Sequence, residues 1–165
     1  MSPIDERLQS LNIVLPDVMP PVVDGYVPAF APFVRSGDQI YLSGRLGKED
    51  GKPLCGKVGE EISLEQGKVA ARRVAIELLA VLKAAVGDLD KVRRVVKLFV
   101  MVNGAPNFTE PHRVADGASE LLVQVFGERG IHARSALSVV QVPFGACVEI
   151  DMIAELWATQ IGGSI

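Results

Sequence analysis

A chain of 165 residues, 48% apolar and 22% charged, can bury one hydrophobic core but is short for two ordinary domains. Its net charge of −3 offers no electrostatic footprint for a nucleic acid, and no apolar run approaches the ~18 residues of a membrane-spanning helix. Cys55 and Cys147 form no CxxC pair and no Cys/His cluster, which argues against a disulfide framework or a zinc site and fits a reducing cytoplasm. The charged start Met1-Ser2-Pro3-Ile4-Asp5-Glu6-Arg7 has no apolar segment behind it of the kind a secretory signal needs.

Ser2-Pro3 is a helix start, a capping hydroxyl followed by proline at the first helical position. Ile4, Leu8 and Leu11 share a face, so residues 3–11 are predicted as a short amphipathic helix. Pro16, Pro20, Pro21 and Pro28 then impose an extended surface connection. Residues 1–28 are therefore read as an N-terminal extension, 29–157 as the α+β domain and 158–165 as a tail.

Phe33 to Gly44 reads as strand, turn, strand, with Ser36-Gly37-Asp38 supplying the turn. Gly44 and Gly47 let the backbone bend or approach a neighbour closely, and residues 48–62 read as an excursion loop. Ser63, with Gln66 three residues on, predicts a capping box opening a helix that runs to about Val86 and stops at Gly87. Val74, Leu78, Leu82 and Ala85, with Ala71 and Ala75, make its buried stripe. Residues 92–102 are apolar on both faces, as an interior strand requires. A second helix from Glu110 or Pro111 to Phe126 carries the stripe Val114, Ala118, Leu121, Leu122 and Val125. It contains a Gly117 that a helix interior disfavours by ~1 kcal/mol and that close packing would explain.

The last two β-branched runs, Ile131–Val142 and Cys147–Ala154, flank a Pro143-Phe144-Gly145 break and are predicted as a hairpin or tight reversal. Alternation puts Val148, Ile150 and Met152 on one face and Cys147, Glu149, Asp151 and Ile153 on the other. The order β-β-α-β-α-β-β gives an α+β domain of two layers, a mixed sheet on two helices. Arg134 opens the first run and Glu149 lies inside the second. A cation and an acid on neighbouring strands suit a small anionic ligand; an exposed arginine and a solvated strand face would give the same pattern. Cys147 reads as a small buried filler or a reactive thiol, and His132 as a pocket-rim or surface residue.

From about Ala29 to Leu156 the chain resembles the RidA/YjgF family of reactive imine/enamine deaminase-like proteins. The resemblance is carried by Gly37 before the strand ending Ser43-Gly44, by the helix, Gly-Asp-Leu turn and strand at 63–102, and by Ala133-Arg134-Ser135 followed by Pro143 and Val148-Glu149-Ile150. The N-terminal helix and the pattern His112-Arg113-Val114-Ala115-Asp116-Gly117-Ala118-Ser119 are similar to a longer subgroup. The resemblance implies a chorismate-mutase-like fold, a homotrimer and a ligand site at each subunit interface, with no metal or cofactor. It implies that Arg134 holds a substrate carboxylate, that Glu149 orients the attacking water, and that Ala136 and Ser43-Gly44 help hold the ligand through backbone groups. The reaction would hydrolyse a 2-imino or enamine acid to a 2-keto acid and ammonia. The alternative is a trimeric small-carboxylate-binding protein without hydrolysis.

Four positions depart from the family pattern: Phe30 replaces a tyrosine, His112 an asparagine, Ala136 a cysteine and Arg45 a glutamine. An additional cation at Arg45 and a titratable His112 suit a different or larger anion. Endoribonuclease activity is also attached to this family by name. The acidic balance of the chain and the lack of an interleaved basic-aromatic pattern weigh against it.

Overall fold

The capping chemistry works as the sequence dictates. Ser63 Oγ accepts from the Gln66 backbone N–H at 3.1 Å, Gln66 Oε1 accepts from the Ser63 N–H at 2.8 Å, and helix α2 runs Leu64–Val86. A computed structural model of the chain describes residues 1–18 and 25–158. Part of the predicted proline-rich connection, including Pro20 and Pro21, lies outside the described residues, as does most of the predicted tail. Helix α1 is Pro3–Ser10, capped by Ser2, and helix α3 is Pro111–Phe126. Five strands, β1 (Phe33–Ser36), β2 (Gln39–Leu46), β5 (Val92–Asn103), β6 (Ala133–Val139) and β7 (Val148–Leu156), form one sheet. Within the predicted excursion loop, β3 (Lys48–Glu49) and β4 (Lys52–Pro53) make a minimal hairpin.

The sheet order is β1-β2-β7-β5-β6, with β6 parallel to β5 and every other pairing antiparallel. Of the two readings of the last two strands, the tight reversal holds and the hairpin is wrong, because β6 and β7 run in opposite directions but are not neighbours. The turn at Pro143 carries the chain past β5, and β7 inserts between β2 and β5. The composition of the two strands explains the choice. Val148, Ile150, Met152, Ala154 and Leu156 put an unbroken apolar row into the core, so β7 belongs in the interior. Polar-rich Ala-Arg-Ser-Ala-Leu-Ser-Val suits an edge.

One face of the sheet is closed by α2 and α3. Where these helices cross, Gly117 is buried and its Cα lies against the Lys68 carbonyl, so that a Cβ there would overlap backbone; this is the close packing that the helix-interior glycine requires. Helix α1 adds Ile4 and Leu8 to the same core, held by a 2.6 Å Lys83–Asp5 ion pair and by donation from the Ile4 N–H to Asp90. The other sheet face is only half buried. It carries Tyr41, Ile153, Phe99, Met101 and Leu137 around a polar centre of Asp151, Lys97 and Ser135, in which Lys97 Nζ donates to Ser135 Oγ at 2.8 Å. No helix among the described residues is long and apolar enough to cross a membrane.

Candidate functional site

Strand β2 loses its regular register with β7 between Leu42 and Arg45, the bend that Ser43-Gly44 suggested. Gly44 is thereby pressed against the Glu149 side chain, leaving no room for a Cβ. Beside this contact is a cleft of about 500 Å³ lined by Tyr26, Pro28, Phe30, Gly44, Arg45, Leu46, Lys48, Pro143, Phe144 and Glu149. Tyr26, Phe30 and Phe144 stand 59%, 52% and 44% exposed around it. Phe144 is held at φ +58°, a conformation that costs a non-glycine residue about 1 kcal/mol or more and that recurs at ligand sites.

Burial pushes the Glu149 carboxyl above the ordinary carboxylate range, and the neighbouring acid Asp151 pushes in the same direction. Asp151 is itself raised by burial, with Lys97 pulling back. Arg45 is 6% exposed, and among the described residues its Nε and Nη2 have no hydrogen-bond partner. Its burial favours the uncharged form, against a small opposing field from Glu77, whose Oε2 is engaged by Lys48 at 3.1 Å.

Asn103, 2% exposed, ties the loops around the cleft together. Its Oδ1 accepts from Lys57 Nζ at 2.8 Å, while Nδ2 points at the carbonyls of Gly56 and Gly145 at 3.5 and 3.4 Å. Lys57 Nζ also reaches the Val140 carbonyl at 2.8 Å. We expect Asn103→Ala to cost about 1–3 kcal/mol in urea denaturation, because buried carbonyls and an ammonium lose their partner. The Phe144 wall of the cleft should loosen with it.

Arg134 stands elsewhere. It lies on edge strand β6 opposite Leu98, and its side chain runs along the helix layer, where Nη1 donates to Asp116 Oδ1 at 2.9 Å and to Ser119 Oγ at 3.0 Å. Its in-chain partner is thus Asp116, not Glu149 or Asp151. Ser119 is fixed in turn by His132, whose Nε2 lies 3.0 Å from its hydroxyl and whose Nδ1 lies 2.6 Å from the Gly130 carbonyl. Burial depresses the basicity of His132, with a smaller push from Arg134 in the same direction; the Gly130 hydrogen bond opposes both. His132 is thus a structural support rather than a pocket rim. Among the described residues, Nε and Nη2 of Arg134 make no hydrogen bond, so one edge of the guanidinium fork is available.

The structure brings Phe30, Gly44, Arg45 and Glu149 of the predicted site to one cleft. It does not bring Arg134 there. Three rows of register separate Arg134 from Glu149, about 10 Å along the strands, with β5 between them and opposite sheet faces presented. Ser43 donates its hydroxyl to the Ala31 carbonyl at 2.7 Å, Ala136 packs on the core side of β6, and His112 is exposed in the first turn of α3. Cys147 is not on the Glu149 face. It precedes β7, is fully buried, and burial raises its thiol to about 11, so it is a filler and not a nucleophile. Tyr26 and Phe144 were not assigned from sequence. The aromatic in the Pro-x-Gly turn and the tyrosine four residues before Phe30 were the available signals, and Tyr26 gives the cleft a phenol that Phe30 lacks. Among the described residues no three His, Cys, Asp or Glu side chains converge to hold a metal ion.

A family described as "YjgF/chorismate_mutase-like, putative endoribonuclease" matches residues 6–156. The chain belongs to the RidA/YjgF family. Protein TCP17 of Trypanosoma cruzi is 46% identical over 152 residues, 91% of this chain and 92% of that protein. The crystal structure of Atu1372 from Agrobacterium tumefaciens, a protein described as of unknown function, is 41% identical over 93% of this chain and 92% of its own, with a TM-score of 0.83. RidA from an Antarctic Psychrobacter is 28% identical over 79% of this chain and 91% of its own, with a TM-score of 0.53. The chorismate-mutase-like α+β fold expected from the sequence is the fold of this family.

Proposed function

We propose that this RidA/YjgF protein hydrolyses 2-imino or enamine acids to 2-keto acids and ammonia, at sites completed between the subunits of a homotrimer. The observation that carries the reading is the division of the site. The central strand β7 bears Glu149, a carboxyl of raised proton affinity in an aromatic cleft. The edge strand β6 bears Arg134, with an unused Nε/Nη2 edge of the kind that binds a carboxylate in bidentate fashion. Neither half suffices alone. A head-to-tail contact, β6 of one copy against the cleft of the next, joins them, and such a heterologous contact closes into a ring when the rotation allows. The half-buried sheet face with Tyr41, Phe99, Met101, Leu137 and Ile153 supplies apolar area for the association.

In this reading Arg134 holds the substrate carboxylate and Glu149, ionised, orients a water toward the imine carbon and takes its proton. The C–O bond forms, the nitrogen takes up the proton that Glu149 removed and then the hydroxyl proton, and as the hydroxyl becomes the keto carbonyl the C–N bond breaks and ammonia leaves. The chemistry needs no external electron donor or acceptor. The family description's endoribonuclease reading is weighed down by the net charge of −3.

The test generates 2-aminoacrylate or 2-iminobutanoate in situ and follows loss of the imine with and without protein. Acceleration, reduced about 10–100-fold at low substrate in Arg134→Ala through the lost charge-assisted bonds, is expected. An undiminished rate in that variant, or none in the parent, overturns the reading. Carboxylate binding without acceleration would leave a non-catalytic binding protein. Sedimentation as a stable monomer would remove the shared site.

A further inference from the structure

We propose that Asp116 is a positioning residue for the carboxylate anchor: with Ser119 it fixes the plane of the Arg134 guanidinium, so that the Nε/Nη2 edge is presented to the ligand already oriented. The inference rests on the reading above, in which Arg134 takes the substrate carboxylate. Asp116 and Ser119 stand three residues apart on α3 and so share a helix face. Arg134 Nη1 donates to Asp116 Oδ1 at 2.9 Å and to Ser119 Oγ at 3.0 Å. A planar fork held at one nitrogen by two fixed acceptors has lost its freedom to turn. Nε and Nη2 are left without a partner among the described residues, and neither is a buried atom. Ser119 is itself held. The Gly130 carbonyl can only accept, so the His132 Nδ1 that lies 2.6 Å from it carries the proton, and Nε2 is left to accept from the Ser119 hydroxyl at 3.0 Å. The hydroxyl thereby turns its hydrogen toward His132 and a lone pair toward Arg134. Gly130 is pressed on the Leu122 carbonyl of α3 with no room for a Cβ, so this support is seated on the helix that carries both acceptors. The other cations near Asp116 have acids of their own: Lys68 pairs with Glu120 at 2.8 Å and Arg113 with Glu110 at 2.7 Å. Stability does not account for the arrangement, because side chains 24% and 39% exposed make an ion pair that contributes little to folding. A ligand does gain from it, since binding no longer has to order the arginine.

Two substitutions separate the hydrogen bond from the charge. Asp116→Asn keeps an acceptor oxygen for Nη1 and Asp116→Ala does not, yet both remove the same negative charge. Calorimetry on the full chain with 2-oxobutanoate, a keto acid of the product class, should show Asp116→Asn binding at least as tightly as the parent, because an anion beside the anchor is gone. Asp116→Ala should bind it about three- to tenfold more weakly than Asp116→Asn, the cost of ordering a long side chain on binding. With the imine generated in situ the loss should appear in KM, with kcat nearly unchanged, since Arg134 grips the carboxylate in ground state and transition state alike. A purely structural contact would lower the melting temperature and leave KM alone. Ser119→Ala deletes the second acceptor and should weaken 2-oxobutanoate binding relative to the parent; it decides the matter if Asp116→Ala does not fold. Equal affinity of the two Asp116 variants, parental affinity in Ser119→Ala, or a fall in kcat at unchanged KM overturns the proposal. Arg134→Ala separates this failure from that of the reading beneath it. If the parent does not bind 2-oxobutanoate, or Arg134→Ala binds it undiminished, the anchor itself is wrong and the proposal falls with it. If Arg134→Ala weakens binding while the two Asp116 variants stay equal, the anchor stands and Asp116 does not position it.

Discussion

Gly117→Ala should destabilise the protein by about 2 kcal/mol or more, even though alanine is the better helix former by about 1 kcal/mol. The reason is the nature of the atom that the new methyl meets. At Gly117 a Cβ overlaps the carbonyl oxygen of Lys68 and lies 2.9 Å from its carbonyl carbon. A backbone group inside α2 cannot rotate away, so the helices must part and the buried residues of the two helices, Val114, Ala118 and Leu121 on α3 and Ala71 and Val74 on α2, lose packing. Gly67, on the facing helix, is the informative comparison. A Cβ there meets Val58 and Val114 methyls at 3.3 Å, which side chains can yield. Gly67→Ala should therefore cost much less, or nothing. Urea denaturation of both variants decides the point: a midpoint for Gly117→Ala at or above that of the parent would mean that α2 and α3 do not approach so closely.

The same contrast shows what the sequence could convey. Ser63 with Gln66, Ser2 with Pro3, and the stripes through Val74–Leu82 and Val114–Val125 are local chemistry, and helices form where local chemistry puts them. The place of β7 was not legible. Two runs separated by a turn have a hairpin as their cheapest arrangement, and only the competition for the sheet interior, won by the strand with an unbroken apolar row, rejects it. That error also put Arg134 beside Glu149, when β5 lies between them. Phe30, Gly44, Arg45 and Glu149, which the family resemblance singled out, do share a cleft. Tyr26 and Phe144 reach that cleft from segments without periodicity, where spacing says nothing about proximity. The partners of Arg134 could not be read from its own strand, since Asp116 and Ser119 sit on the helix that precedes it.

Glu149→Gln should lower the rate of imine loss by about 10²–10⁴-fold with ligand binding largely retained, the range expected when a positioned base is removed. The pH dependence gives the finer test. Burial, then Asp151, raises the Glu149 carboxyl above its ordinary 4.5, and only the ionised form can take a proton from water. Activity at limiting substrate should therefore rise with pH through that raised value rather than through 4.5. Asp151→Asn removes one of the two causes and should move the rise to lower pH. The same shift has an opposite consequence for stability. The folded state holds the Glu149 proton more tightly than the unfolded chain does, so its contribution is complete below 4.5 and is lost as pH climbs through the raised value. Glutamine never ionises. The variant should match the parent in acid and exceed it at neutral pH, gaining stability where it loses activity. A Glu149→Gln protein that is inactive but no more stable at neutral pH than in acid, relative to the parent, would mean that the carboxyl is not held in the desolvated place from which its role has been argued.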